Sequence, residues 1–426
     1  MIYTVSKKNK SLKGTIYLTA SKSESNRVLI IQAICKEKFT IKNLAQAEDT
    51  KILKLALGNT QLTQKKIDIG NAGTAMRFLT AYLATQEGEF ILTGSPRMKE
   101  RPIAILVDAL KELGADIQYL DKVGFPPLKI IGTKVPSKKR GFRGVLTIDG
   151  SVSSQYITAL LLIAPTLPDE LKINLIGKIS SRPYIEMTLK IMKYFGIKYS
   201  WGKNTITIKK QNYKAKDYTM EADWSAASYW YEIAALADDV DLKIIGLKKN
   251  SLQGDAVIAD IMKNFGIKTK FIKNGIHLTK SEILNLTALR QVPKSQISYA
   301  FLDCPDLAQS VIVTAAALSI NGKFSGLESL KIKETDRILA LKTELKKFGT
   351  TVQIIKNGTV QLATKSKILN PKSQICTYDD HRMAMAFAPL AMKFGTVKIE
   401  NPEVVSKSYP AFWSNMKKAG FIIEED

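Results

Sequence analysis

With 426 residues, 45% of them apolar and 24% charged, the chain is too long for one ordinary core and reads as about two to three domains of a soluble globular protein. Three scattered cysteines (Cys35, Cys304, Cys376) and only two histidines (His277, His381) argue against a disulfide framework and a Cys/His zinc site, and the lack of a long apolar run or signal-peptide core excludes a membrane span and points to the cytoplasm. The net charge of +24 raises nucleic acid as a partner, but the basic residues are dispersed as lone Lys or Lys pairs without an arm or an aromatic-interleaved block, so solvated lysine is the preferred reading.

Arginines in polar clusters are more informative, because planar guanidinium groups suit phosphate and carboxylate. The first cluster is Ser21-Lys-Ser-Glu-Ser-Asn-Arg27, ahead of an apolar run at 28–34. It reads as a loop opening into a buried helix, either a plain cap or an anion site built from unpaired N–H groups, Lys22 and Arg27. A strand at 67–69 leads into Asn71-Ala-Gly-Thr-Ala-Met-Arg77 and a helix over 78–84, where Gly73 allows close backbone approach and Arg77 offers a fork. Pro96-Arg-Met-Lys-Glu-Arg-Pro102 crowds three cations between stiffening prolines. A strand at 145–148, the cap Ser151-Val-Ser-Ser-Gln155 before a helix at 156–164, Ser180-Ser-Arg-Pro-Tyr184 and a strand at 205–209 follow. Such hydroxyl-rich helix starts without carboxylates suit a polyol or phosphate.

Carboxylates come later. Asp303-Cys-Pro-Asp306 precedes a helix at 307–318, Lys331-Ile-Lys-Glu-Thr-Asp-Arg337 a helix at 338–348, and Tyr378-Asp-Asp-His-Arg382 a helix at 383–392; a strand lies at 360–362. The 333–337 stretch reads either as a helix cap with salt bridges or as a catalytic carboxylate tuned by Lys and Arg, with Asp306 as a second proton-transfer group. Nothing nearby activates Cys304 as a nucleophile.

One phrase recurs: Leu110-Lys-Glu-Leu-Gly-Ala, Met192-Lys-Tyr-Phe-Gly-Ile, Met262-Lys-Asn-Phe-Gly-Ile, Leu345-Lys-Lys-Phe-Gly-Thr and Met416-Lys-Lys-Ala-Gly-Phe. Each predicts a last helical turn, a left-handed glycine and then a strand, with Gly58 as a weaker sixth copy. The glycines lie about 70 to 80 residues apart, a spacing that fits six repeated α/β (α+β) units in two lobes of three. No Gly-x-Gly-x-x-Gly or Walker loop is present, which disfavours nucleotide folds.

Taken in order from Lys22 to Lys407, these motifs resemble the 5-enolpyruvylshikimate-3-phosphate synthase family. The resemblance implies six βαβαββ units, three per lobe, with substrates in the cleft between lobes, and a division into residues 1–19 with 221–426 (phosphoenolpyruvate side) and 20–220 (shikimate 3-phosphate side). It implies enolpyruvyl transfer from phosphoenolpyruvate to the 5-hydroxyl of shikimate 3-phosphate, by a cytoplasmic monomer without cofactor, metal, nucleic acid or membrane. Lys22, Asp306 and Glu334 would be catalytic. Lys22, Ser23, Arg27, Ser153, Ser154, Gln155, Ser181, Asp306 and Lys333 would hold shikimate 3-phosphate. Lys22, Gly73, Arg101, Gln155, Arg337, Arg382 and Lys407 would hold phosphoenolpyruvate. Asn71, Thr74, Arg77, Tyr184, Asp380 and His381 would support them. Phe78 stands where many members have Pro, which bears on the helix carrying Thr74 and Arg77, and Gly73 matches the glyphosate-sensitive form. A UDP-N-acetylglucosamine enolpyruvyl transferase, whose loop cysteine has no counterpart here, and a non-catalytic anion-binding protein on the same fold are the alternatives.

Overall fold

The computed structural model describes residues 1–59, 66–133, 144–151, 153–281, 296–356, 358–364 and 374–426; Val152 of the Ser151–Gln155 cap lies outside them. They form two compact units: a continuous one, Ser21–Met220, and a discontinuous one, Met1–Ala20 with Glu221–Asp426.

In the continuous unit, Lys66–Asp68, Gly73–Ala84, Gly88–Thr93, Ala104–Glu112, Asp116–Tyr119 and Leu128–Gly132 run strand, helix, strand, helix, strand, strand. The first two strands pair in parallel, as a helical crossover demands. The fourth strand then pairs antiparallel with both the second and the third. Val145–Asp149, Ser154–Ile163, Leu171–Ile176, Arg182–Tyr194, Tyr199–Gly202 and Thr205–Ile208 repeat this order and pairing. A reduced copy has the helices Lys22–Ile34 and Glu48–Asn59 beside the two-residue parallel pair Ile41–Lys42 and Tyr218–Thr219.

The discontinuous unit contains the same arrangement. Gln296–Ala300, Ala308–Ala317, Asn321–Ser325, Arg337–Lys347, Thr350–Ile355 and Thr359–Thr364 form one complete copy. Another joins Ser11–Tyr17 in parallel to Asp239–Ile245, followed by Ile267–Ile272 and Gly275–Lys280. In the last copy Ile375 bridges in parallel to Ile399 of Thr396–Glu400, and the N-terminal Ile2–Ser6 sits between that strand and Ile422–Glu425. The first strand of the chain thus fills the fourth-strand position of the last repeat.

The recurring glycines close the helices as their sequence demands. Gly114, Gly196, Gly266, Gly349 and Gly420 all have φ between 77° and 89°. Ala115, Ile197 and Phe421 return N–H groups to the carbonyls of Leu110, Met192 and Met416 at 2.9 to 3.1 Å, the six-to-one bond of a Schellman cap. Gly58 is a correction: it lies inside Glu48–Asn59 and lacks a positive φ, because glycine permits the left-handed state without requiring it.

Each unit packs three largely buried helices together at its centre. Lys22–Ile34, Gly73–Ala84 and Ser154–Ile163 pack on one another in the continuous unit. Trp224–Leu236, Ala308–Ala317 and His381–Phe387 do so in the discontinuous one. A helix buried on nearly every face is stable only inside such a packing, and burying each large apolar side chain contributes about 1.5–3 kcal/mol. These helices begin earlier than their apolar runs: at Lys22 rather than 28, Gly73 rather than 78, Ser154 rather than 156 and His381 rather than 383. Polar residues that read as loop therefore occupy first helical turns, where N–H groups are unpaired.

Candidate functional site

The continuous unit gathers its polar groups at the starts of its inner helices. Ser21 caps the first, its Oγ accepting from Glu24 N–H at 3.4 Å, and Ser153 caps another by accepting from Gln155 N–H at 3.3 Å. Lys22 reaches Asp49 at 3.0 Å. Gln155 Nε2 donates to Thr74 Oγ1 at 3.3 Å, which brings two of the helix starts together. Ser181 precedes Arg182–Tyr194 in a left-handed conformation with φ 56°, and its hydroxyl makes no capping bond. A non-glycine residue held there is costly, and such strain concentrates at functional sites.

Arg27 is buried one turn inside its helix. It donates to Ser23 O and Thr188 Oγ1 at 2.8 Å, and more weakly to Tyr184 O and Thr158 Oγ1. All four acceptors are neutral, so among the described residues the guanidinium is oriented by hydrogen bonds rather than by an ion pair, and burial lowers its pKa to about 10. The Phe78 ring lies 5.7 Å from it, within cation–π range. Phe78 sits within the unbroken helix Gly73–Ala84.

Arg101 is 7% exposed, and among the described residues nothing bonds its buried Nε. A Cβ on Gly73 would lie 2.5 Å from Arg101 Nη1, so only glycine allows the guanidinium to rest against this helix start. Arg77 donates to Gly73 O at 3.3 Å and Pro102 O at 2.9 Å, tying the helix to the segment that carries Arg101. Tyr156 OH donates to the same Pro102 carbonyl, and Ser95 OH bonds Asn71 Oδ1. Arg77, Asn71 and Tyr156 are thus braces for Arg101.

The discontinuous unit holds a dense charge cluster centred on Arg337, the first residue of its helix and 2% exposed. Its Nε donates to Asp380 Oδ2 at 2.6 Å, Nη1 to Asp306 Oδ1 at 3.2 Å and Nη2 to Glu334 Oε2 at 2.9 Å. Burial alone would lower its pKa, but Asp380 and Glu334 outweigh that and raise it well above the usual value. Lys407 meets the other Glu334 oxygen at 2.8 Å. Arg382 pairs with Asp306 Oδ2 at 2.9 Å and donates to Tyr229 OH at 3.3 Å, and Lys333 stands 3.8 Å from Asp306. Asp380 caps the His381–Phe387 helix, and His381 Nδ1 is 3.7 Å from it. Asp336 caps Arg337–Lys347, so in 333–337 capping and the ion pairs of Glu334 coexist on different residues.

Three carboxylates, Asp306, Glu334 and Asp380, are therefore held among four cations, and the first two form an arrangement suited to moving protons beside an anionic ligand. Burial, and then the charge of Asp306, push the carboxyl of nearby Asp255 above the usual carboxylate range. Burial raises the Cys304 thiol to about 12, leaving it little thiolate with which to act as a nucleophile. Among the described residues no group of three His, Cys, Asp or Glu is arranged to hold a metal, and no helix is long and apolar enough to cross a membrane.

Sequence reasoning missed Asp49, Thr158, Thr188 and Tyr229. Asp49 reads as an acid favouring its own helix N-terminus. Thr158 and Tyr229 lie within apolar helices and Thr188 on the buried face of an amphipathic one, where an isolated hydroxyl gives no signal until the fold sets an arginine beside it.

Comparison with known proteins follows the same lines. The sequence model of the EPSP synthase (3-phosphoshikimate 1-carboxyvinyltransferase) family matches residues 6–416. The chain is 46% identical over 420 residues to the 3-phosphoshikimate 1-carboxyvinyltransferase of Bacteroides fragilis (strain YCH46), covering 97% of each chain. It is 35% identical over 432 residues to that of Vibrio campbellii, covering 95% of this chain and 96% of the other. A solved EPSP synthase from Acinetobacter baumannii shares the fold with a TM-score of 0.74 over 100% of both chains, at 19% identity.

Proposed function

Because the chain belongs to the EPSP synthase family, we propose that it transfers the enolpyruvyl group of phosphoenolpyruvate to the 5-hydroxyl of shikimate 3-phosphate, releasing phosphate, on the chorismate route to aromatic amino acids. In the addition step C3 of phosphoenolpyruvate gains a proton, the hydroxyl loses one, and a bond forms from its oxygen to C2. Elimination then removes a proton from C3 and breaks the bond from C2 to the phosphate oxygen. Both steps need proton-transfer groups beside stabilised oxyanions.

The observation that carries this reading is Glu334 held between Arg337 and Lys407 at 2.9 and 2.8 Å, beside Asp306 held by Arg337 and Arg382. An anionic substrate competes for those cations. As Arg337, Arg382 and Lys407 turn toward phosphoenolpyruvate, the carboxylates lose counter-charge and their protonated forms are favoured. Glu334 then protonates the C3 methylene with Lys22 stabilising charge, and Asp306, beside Lys333, takes the hydroxyl proton. Arg101, whose Nε bonds nothing among the described residues, and Gly73 hold phosphoenolpyruvate, with Gln155 and Thr74 alongside. Ser23, Arg27, Ser153, Ser154 and Ser181 hold shikimate 3-phosphate, supported by Tyr184.

Phosphate release from phosphoenolpyruvate tests the proposal. Shikimate 3-phosphate should accelerate it in the wild type, while Glu334→Gln should lose turnover and still bind shikimate 3-phosphate. No acceleration in the wild type would overturn the assignment. Glyphosate, an anionic phosphonate, should inhibit competitively with phosphoenolpyruvate. The same reading takes the chain to be a cytoplasmic monomer that needs no cofactor and binds no nucleic acid; sedimentation over a range of concentrations tests the oligomeric state.

A further inference from the structure

Asp380 anchors Arg337, yet it follows a stretch of backbone that would not hold itself in place. Tyr378 and Asp379 are consecutive non-glycine residues with φ of 55° and 54°, a conformation that persists only where surroundings enforce it. Upstream, the segment is tied to Thr396–Glu400 through Ile375, whose N–H donates to Lys398 O at 2.8 Å. Between these points it rests on Glu344, which is 0% exposed and two turns along the helix that begins with Arg337.

Glu344 Oε1 accepts from Tyr378 OH at 2.8 Å, and Oε2 accepts from Cys376 N–H at 3.3 Å and Lys347 Nζ at 2.7 Å. Lys347 Nζ also donates to Gln374 O at 2.8 Å. One helix therefore grips residues 374–380 twice, through Glu344 and Lys347 near its end and through Arg337 with Asp380 at its start. A charged partner, the Glu344 carboxylate or the Lys347 ammonium, makes each of these bonds stronger than its neutral counterpart, and burial limits exchange with water.

We propose that Glu344 is a positioning residue for the anion-binding arginines. By holding Tyr378 and Asp379 in the left-handed region it fixes Asp380, and through Asp380 it sets the direction of the Arg337 fork and of the Arg382 backbone. This rests on the proposed function for its kinetic consequence, since Arg337 and Arg382 are there assigned to phosphoenolpyruvate.

The test uses the full chain with Glu344→Gln, Tyr378→Phe, and Glu344→Gln combined with Asp379→Gly. Loss of one hydrogen bond's worth of orientation, a factor of about ten, should appear as a rise in KM for phosphoenolpyruvate in the first two variants. The dissociation constant for shikimate 3-phosphate should stay within about twofold of wild type, because its proposed holders Arg27 and Ser153 are untouched. Asp379→Gly should restore KM, because glycine adopts positive φ without enforcement. A merely structural role would instead lower kcat with the folded fraction and leave KM unchanged, and that result would overturn the proposal.

A readout independent of turnover is the Arg337 Nε–H resonance in a ¹⁵N–¹H spectrum, assigned by its loss in Arg337→Lys. Its hydrogen bond to Asp380 should place it downfield, and Glu344→Gln should move it, with return in the Asp379→Gly combination. An unmoved resonance overturns the positioning role whatever the substrate. A moved resonance with no phosphate release in the wild type leaves the clamp standing and removes the functional reading instead.

Discussion

Replacing Arg337 with Met should destabilise the discontinuous unit by about 3–5 kcal/mol, the cost of stripping the partner from a buried ion pair. The geometry says where that cost falls. Glu334 would keep Lys407 at 2.8 Å, and Asp306 would keep Arg382 at 2.9 Å and Lys333 at 3.8 Å. Asp380, 0% exposed, would keep the Arg382 N–H at 2.8 Å and lose both guanidinium contacts. The uncompensated charge is thus that of Asp380, which leads to a reversal of sign. Asp380→Asn in the wild type should cost about 1–3 kcal/mol, since it weakens a charged hydrogen bond but retains the cap. In the Arg337→Met background the same change should stabilise, because it removes the orphaned charge. Urea unfolding followed by tryptophan fluorescence would measure this cycle, with Trp224, Trp230 and Trp413 all in the discontinuous unit. Equal destabilisation by Asp380→Asn in both backgrounds would refute the reasoning.

Other expectations follow from single observations. Gly73→Ala should push the Arg101 guanidinium aside, since the new methyl would lie 2.5 Å from Nη1; KM for phosphoenolpyruvate should rise with little change in stability, and an unchanged KM would count against the contact. Gly266→Ala isolates backbone strain, because its φ is 80° and a Cβ there meets nothing within 4 Å; a loss of about 1–2 kcal/mol in urea unfolding is expected. Glu232 is buried with neither carboxyl oxygen bonded among the described residues, and burial raises its pKa well above the usual range. Its folded form holds a proton that the unfolded chain releases near pH ~4.3, so wild-type stability is full below that pH and falls as pH rises toward the folded pKa, by about 1.4 kcal/mol per unit at most. Glu232→Met should therefore stabilise by about 1–3 kcal/mol at neutral pH, by an amount that grows from pH 5 upward; a pH-independent difference would contradict this. Lys22→Met should lower turnover by about 100-fold with far less effect on shikimate 3-phosphate affinity, as expected for a charge that acts mainly in the transition state.

Local chemistry was legible along the chain because it depends on neighbours in sequence. The five glycines at 114, 196, 266, 349 and 420 marked helix ends correctly since a left-handed residue after a helix is a local requirement, while Gly58 misled because its freedom was not used. Ser21 and Ser153 cap the helices whose starts they mark, and Asp336 and Asp380 cap theirs. Helix starts were misjudged by two to six residues, because apolar runs report burial and the polar first turns lie outside it.

What the sequence determined by itself was the α/β repeat, from the period of helix, glycine and strand, and a set of cationic and acidic helix starts whose order matched a known family. Tertiary structure decided which of those groups meet. Arg337 binds Asp380 across 43 residues of sequence, Arg27 bonds Thr188 across 161, and Arg382 reaches Tyr229 across 153. It also decided that Gly73 makes room for Arg101, that Ile2–Ser6 completes a sheet with Ile422–Glu425, and that Glu344 supports the backbone before Asp380. The reason is physical: caps and turns are set within a few residues of chain, whereas an ion pair or a close approach depends on where packing brings the helix carrying each partner.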